Sequence, residues 1–174
     1  VIATDDARIQ AAASSFAEHV CMKSDRHVSG TDRIAEVVRA LGWPNDTVVV
    51  NLQGDEPLMP PALLSQVAET LIVHEQADMA TLAVPLTEPW QLFDKHIVKV
   101  VTDRSGYALY FSRAAIPWDR DAFAIDMEQL PQDSKHYRHI GLYAYRAGFI
   151  RHYSQLEPCY IEQTEVLEQL RALW

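Results

Sequence analysis

The run Thr47-Val48-Val49-Val50-Asn51-Leu52, followed at once by Gln53-Gly54-Asp55-Glu56-Pro57, constrains the fold more than any other stretch of the chain. Consecutive β-branched residues without polar alternation suit a strand covered on both faces, as in a parallel sheet. Pro57 has no N–H to give a ladder, so pairing stops there. The strand therefore delivers a glycine and two carboxylates to its carboxyl end, which is where ligands bind in open α/β sheets. Gly54 lets a ligand approach the backbone, and Asp55 offers the hard oxygen that Mg²⁺ takes alongside substrate phosphates. An acidic turn leaving a strand accounts for the same residues equally well.

The flanking segments extend the pattern. Val1 to Thr4 reads as the end of a buried strand, and Thr4 or Asp5 then caps a helix with Ile9, Ala12, Ala13 and Phe16 on one face. Val20-Cys21-Met22 is a short strand. After it, His27-Val28-Ser29-Gly30-Thr31-Asp32-Arg33 is a polar turn entering a helix whose inner side is Ile34, Val37, Val38 and Leu41, with Gly42 at the C-cap. The N–H groups at that helix start, with Ser29, Thr31 and Arg33, could hold an anionic or polar group, although ordinary capping by Thr31 explains them as well. Pro60-Pro61 opens a helix through Leu63, Leu64, Val67, Leu71 and Ile72, and Met79 to Val84 is the next strand. This alternation predicts an α/β fold with a doubly wound, mostly parallel sheet.

The pattern changes after Pro85. Ile97 to Thr102 and Tyr107 to Ser112, joined by Asp103-Arg104-Ser105-Gly106, form an antiparallel hairpin. The irregular stretch from Arg113 to Lys135 is of the kind that serves as a lid, a binding loop or an oligomer contact. His139 to Tyr145 resumes as strand, Ala147 to Tyr153 is a short helix, and a final helix turns Val166, Leu167, Leu170 and Leu173 inward. His136 and His139 are three apart on a strand, hence on opposite faces, and do not share an ion.

Composition narrows the function. A formal charge of −9 with only 15 basic residues leaves no basic face for nucleic acid, so any phosphate site must be local. No apolar run approaches the roughly 20 residues that span a bilayer, so no membrane insertion is expected. Two cysteines, Cys21 and Cys159, are too few for a disulfide framework and lack metal-ligand spacing, which fits free thiols in the cytoplasm. The 174 residues fit one domain, residues 1–174, although the chain opens in mid-pattern at Val1.

Several stretches together resemble one family. His27-x-Ser-Gly-Thr-Asp-Arg33, Asn51-x-Gln-Gly-Asp-Glu-Pro57, Thr81-Leu-Ala-Val-Pro85, Val98-Lys-Val-Val101, Ala108-Leu-Tyr-Phe-Ser-Arg-x-x-Ile-Pro-Trp-Asp-Arg120, His139-x-Gly-x-Tyr143 and Leu167-Glu-Gln-Leu-Arg171 occur in this order and at similar spacing in the 3-deoxy-manno-octulosonate (Kdo) cytidylyltransferases. The resemblance implies a nucleotide-diphospho-sugar-transferase-like α/β fold with the hairpin region as a dimerisation subregion, usually a homodimer. It implies an enzyme that makes CMP-Kdo and pyrophosphate from CTP and Kdo for lipopolysaccharide biosynthesis.

Carried over by position, the resemblance makes Asp55 a Mg²⁺ ligand and a catalytic residue. Gln53, Arg120, His139, Tyr143, Glu168 and Gln169 become sugar contacts, with Arg120 also catalytic. Ser29, Gly30, Thr31 and Arg33 become part of the cytidine pocket. Family members begin with a basic, glycine-rich loop (Pro-Ala-Arg…Ser-x-Arg-x-Pro-Gly-Lys) and end beyond a Val-Asp-Thr-Pro segment, neither of which this sequence contains. The single domain is thus expected to be incomplete at both ends, and the 174-residue piece to be inactive by itself. A nucleotidyltransferase for another acidic sugar, amino-Kdo or sialic acid, and a non-catalytic assembly module of the same fold are the alternatives.

Overall fold

The computed structural model describes residues 1–22, 30–131 and 133–174. In chain order the elements are β1 (Ile2–Thr4), α1 (Ala7–Ala13), β2 (Val20–Met22), α2 (Gly30–Leu41), β3 (Val48–Asn51), α3 (Pro61–Val73), β4 (Met79–Pro85), α4 (Pro89–Phe93), β5 (Lys99–Thr102), β6 (Ala108–Ser112), β7 (Tyr137–Arg146), α5 (Ala147–Tyr153), α6 (Tyr160–Glu165) and α7 (Leu170–Leu173). They gather into two compact units, one of residues 1–80 and 142–156, the other of 81–141 and 157–174.

In the first unit β1 and β2 pair in parallel, Ile2 opposite Val20. The helix between them is capped by Asp6, whose carboxylate accepts the Arg8 N–H at 2.7 Å, rather than by Thr4 or Asp5; Thr4 Oγ1 instead accepts the Asp6 N–H at 3.1 Å. Ala13 is buried on α1, while Ile9 and Phe16 are exposed. The core joins Ala35 and Val38 of α2 to Val49 of β3, Tyr145 of β7 and Ala147 and Ile150 of α5. Gly42 ends α2 at φ +63°, a conformation other L-residues adopt at a cost. Gly148 lets α5 approach Asn45, where an added Cβ would lie 3.1 Å from the Asn45 Cβ.

The second unit is built on the expected hairpin, β5 antiparallel to β6 with Lys99 opposite Ser112. Val100 and Phe111 pack with Leu167 and Leu170, and a second cluster joins Leu86, Leu92 and Phe123. Lys99 is fully buried, and its ammonium donates to the carbonyls of Asp94, Ile97 and Arg113 at 2.8, 2.6 and 2.7 Å.

The α/β class is as expected, but parallel pairing does not dominate. Besides β5 with β6, the registers of β3 with β7 (Val48 opposite Arg146, Asn51 opposite Tyr143) and of β5 with β7 (Lys99 opposite Arg138) are antiparallel. β4 also pairs with β7, the Arg146 N–H reaching Asp78 O and the Leu86 N–H reaching His136 O, again in opposite directions. The reason is that β7 pairs with both β3 and β4, strands that a simple βαβ succession would have made parallel neighbours.

The C-terminal helix also differs. It is broken into α6 and α7 by Val166, which stands in the left-handed region at φ 54°, ψ 53°. Val166 is 75% exposed and Leu173 is also exposed, so only Leu167 and Leu170 of the expected inward face are buried.

Candidate active site

The first unit places three predicted residues around the end of β3. Asn51 stands opposite Tyr143, whose ring stacks on Tyr145 at 5.7 Å. The chain then leaves the sheet through exposed Gln53, Gly54 and Asp55, and the Gln53 carbonyl accepts the Glu56 N–H at 3.1 Å to close the turn. A Cβ added at Gly54 would meet nothing within 4 Å, so the backbone is open to a ligand. No hydrogen bond or ion pair engages the Asp55 carboxylate among the described residues. Those residues hold no cluster of three side chains able to cage a metal. A single exposed carboxylate fits Mg²⁺, which is commonly held by one or two carboxylates with the remaining positions taken by substrate phosphates and water.

The same unit carries the candidate nucleotide residues. Ser29 lies outside the described residues. Gly30 begins the described part of α2, and Thr31 is buried within the helix rather than capping it. Arg33 Nη2 pairs with Asp5 at 2.6 Å, which ties α2 to the end of β1. Its Nε is buried with no hydrogen-bond partner among the described residues. Such a donor costs about 1–3 kcal/mol, which a bound acceptor would recover.

The second unit holds the others. Arg120 is exposed and grips Asp121 in a fork, Nε to Oδ1 at 2.7 Å and Nη2 to Oδ2 at 3.2 Å. Asp121 thus occupies the geometry that a substrate carboxylate would take. Arg120 borders a cavity of about 570 Å³ together with Trp118, Asp133, Lys135 and His136. His136 bridges two walls of that cavity, Nε2 meeting the Pro117 carbonyl at 2.7 Å and Nδ1 the Ser134 hydroxyl.

His139 turns elsewhere. Its Nε2 lies 2.9 Å from Thr81 Oγ1, and the Thr81 hydroxyl donates its one proton to Ile140 O at 3.0 Å, so Nε2–H is the donor and Nδ1 is an acceptor. Burial lowers the His139 pKa to about 4, so the ring meets a ligand neutral. The unfolded value is near 6.5, so folding binds fewer protons in between. Stability present above pH 6.5 is lost as the pH falls towards 4, by about 3 kcal/mol in full. Denaturant midpoints measured across this range should show that slope, and His139→Gln should flatten it; an unchanged slope would assign it to other groups.

Glu168 and Gln169 are not on a helix as expected but in the turn between α6 and α7, Glu168 exposed and Gln169 buried. Phe111 links this turn to His139, meeting the imidazole edge-on at 5.0 Å and packing with Leu167 and Leu170. Sequence reasoning assigned no role to Ser112, Arg113 and Glu165. Yet the Glu165 carboxylate accepts from the Ser112 hydroxyl at 2.5 Å and the Arg113 N–H at 3.0 Å. No periodicity signals a contact spanning 52 positions. Lys135, the end of the irregular segment, and His136, weighed in the sequence only as a metal partner of His139, line the cavity beside Arg120.

An α/β chain that carries an acid at a strand's carboxyl end and an arginine already forked onto a carboxylate has the parts of a nucleotidyltransferase. It belongs to the cytidylyltransferase family, which matches residues 1–174. It is 54% identical to the 3-deoxy-manno-octulosonate cytidylyltransferase of Idiomarina loihiensis and 55% identical to that of Pseudomonas syringae pv. syringae, covering all of this chain and 69% and 68% of those proteins. The enzyme of the same description from Aeromonas salmonicida is 55% identical, with 70% of it covered. A solved structure described as CMP:2-keto-3-deoxy-manno-octonic acid synthetase complexed with CTP superposes with a TM-score of 0.85 at 35% identity, covering 98% of this chain and 66% of that one.

Proposed function

We propose that the protein transfers CMP from CTP to Kdo, releasing pyrophosphate and forming CMP-Kdo. The observation that carries this is identity above one half, over the whole chain, to proteins named for that activity. The proposal includes, from the family resemblance, a homodimer in the cytoplasm that supplies lipopolysaccharide biosynthesis.

The anomeric hydroxyl of Kdo gives up its proton to solvent as its oxygen forms a bond to the α-phosphorus, while the bond from that phosphorus to the pyrophosphate oxygen breaks in line, its electron pair leaving with pyrophosphate. Such a displacement asks the protein mainly for placement and charge neutralisation. Mg²⁺, when bound, would neutralise the α-phosphate and the leaving group. Asp55 would hold it from the open turn after β3, beside Gln53. Arg120 would exchange Asp121 for the Kdo carboxylate without changing its fork geometry. His139 would contact the sugar as an uncharged imidazole. Tyr143, Glu168 and Gln169 would complete the sugar contacts, and Gly30, Thr31 and Arg33, with Ser29, the cytidine side.

Pyrophosphate release by the full-length protein, with CTP or UTP paired in turn with Kdo, amino-Kdo or sialic acid, tests the reading. Release with CTP and Kdo supports it, and release with another pair in preference replaces it. Arg120→Lys should raise the KM for Kdo about tenfold, since an ammonium cannot reproduce the paired N–H bonds, and an unchanged value moves the carboxylate clamp elsewhere. Thermal stability should hold, because the Arg120–Asp121 pair is exposed.

A further inference from the structure

Val166 is a β-branched residue in the left-handed region, at the helix end where glycine is the ordinary choice. Such conformations persist only where surrounding contacts over-determine them, and they cluster at functional sites. The Val166 side chain is largely exposed, so its own packing does not impose the bend. The main chain on either side of it is held instead. Arg113 Nε donates to Glu165 O at 2.8 Å and Nη2 reaches Val166 O at 3.5 Å, so one guanidinium spans the carbonyls around the strained residue. The Glu165 carboxylate in return accepts the Arg113 N–H and the Ser112 hydroxyl, and Lys99 holds Arg113 O at 2.7 Å.

The far side of the turn is held too. Arg171 Nε donates to Glu162 Oε2 at 2.7 Å, with Nη2 on Oε1, and both side chains are mostly buried. Glu162 O accepts the Leu167 N–H at 3.2 Å and Glu168 O accepts the Arg171 N–H at 3.0 Å. Between these two brackets stand Glu168 and Gln169. An unbroken helix from 160 to 173 would need neither the strain nor the brackets, and it would carry those two residues on a different bearing.

We infer that Arg113, with Glu165, is a positioning residue for the acceptor sugar: it holds the left-handed bend at Val166 and so sets the direction of Glu168 and Gln169. The inference rests on the reading of those two residues as sugar contacts. It predicts that Arg113→Lys, which keeps the charge but cannot span both carbonyls, raises the KM for Kdo about tenfold in the full-length protein and leaves the KM for CTP within about twofold. Ser112→Ala, a milder change that preserves the fold, should raise it about threefold in the same selective way. Glycine at 166 adopts the bend without strain, so Val166→Gly added to Arg113→Lys should recover part of the lost affinity.

A readout without substrate separates this inference from the functional reading. In Arg113→Lys the amide hydrogens of Leu167 to Gln169 should exchange faster while those of β5 and β6 do not. Faster exchange with selective loss of Kdo affinity supports the inference. Unchanged exchange, an equal rise of both KM values, or no recovery by Val166→Gly overturns it. Failure of the wild-type protein to use Kdo appears in the wild-type arm alone and removes the functional reading itself.

Discussion

Asp55→Asn in the full-length protein is expected to cut turnover by about three orders of magnitude while leaving the melting temperature where it is. The two halves of that expectation come from different facts. The side chain is exposed and engages no described residue, so the fold loses nothing when its charge is removed. The turn that carries it is closed through the main chain, Gln53 O to Glu56 N, which an amide at 55 does not touch. Activity, by contrast, would lose the anionic ligand proposed for Mg²⁺; an asparagine oxygen of the same size is neutral and a weaker ligand for a hard dication. Pyrophosphate release at saturating Mg²⁺ and thermal unfolding measured on one preparation check both halves. Near-normal turnover at saturating Mg²⁺ would sink the metal assignment, and a large drop in melting temperature would mean that Asp55 has a structural partner.

The parts of this arrangement that were legible in the sequence are those set by local chemistry. The strand at Val48 to Asn51, the proline-opened α3, the Asp103 to Gly106 hairpin turn and the Gly42 cap all follow from residues within a few positions of one another. So does the exposed acid after β3. Two features were hidden because distant residues decide them. The place of β7 against β3 and β4 depends on which edges meet, and a period-two pattern reads the same in a parallel or an antiparallel ladder. The break at Val166 is invisible because valine disfavours the left-handed region, and the contacts that hold the main chain around it include Arg113, 52 positions from Glu165 along the chain. Glu168 and Gln169 were therefore named by family likeness and misplaced by periodicity. Thr31 was misplaced for a smaller reason, since a threonine can begin a helix or lie one step inside it with the same neighbours.

Lys99 is the one charged residue in the β-prone run Ile97 to Thr102, and the structure buries it completely. Its three ammonium protons meet three carbonyls, which is why the charge is tolerated, although burial still lowers its pKa against the opposing pull of Asp94 and Glu165. Lys99→Met, similar in length and apolar, should therefore cost about 3 kcal/mol of stability. Two effects compete in that figure. Methionine removes the burden of a desolvated cation, but it withdraws the donor from three carbonyls at about 1–3 kcal/mol each, only partly offset at Asp94 O, which also accepts the Ile97 N–H at 3.2 Å. The carbonyls are fixed by main chain and cannot turn to water without moving β5 or the end of β6, so their loss should win. Urea unfolding midpoints of the two proteins decide it: a methionine variant as stable as wild type would show that the buried cation costs as much as its three hydrogen bonds return. Because one of those carbonyls belongs to Arg113, the folded methionine variant should also show faster amide exchange at Leu167 to Gln169, and it should do so through the main chain of Arg113 while the guanidinium is intact.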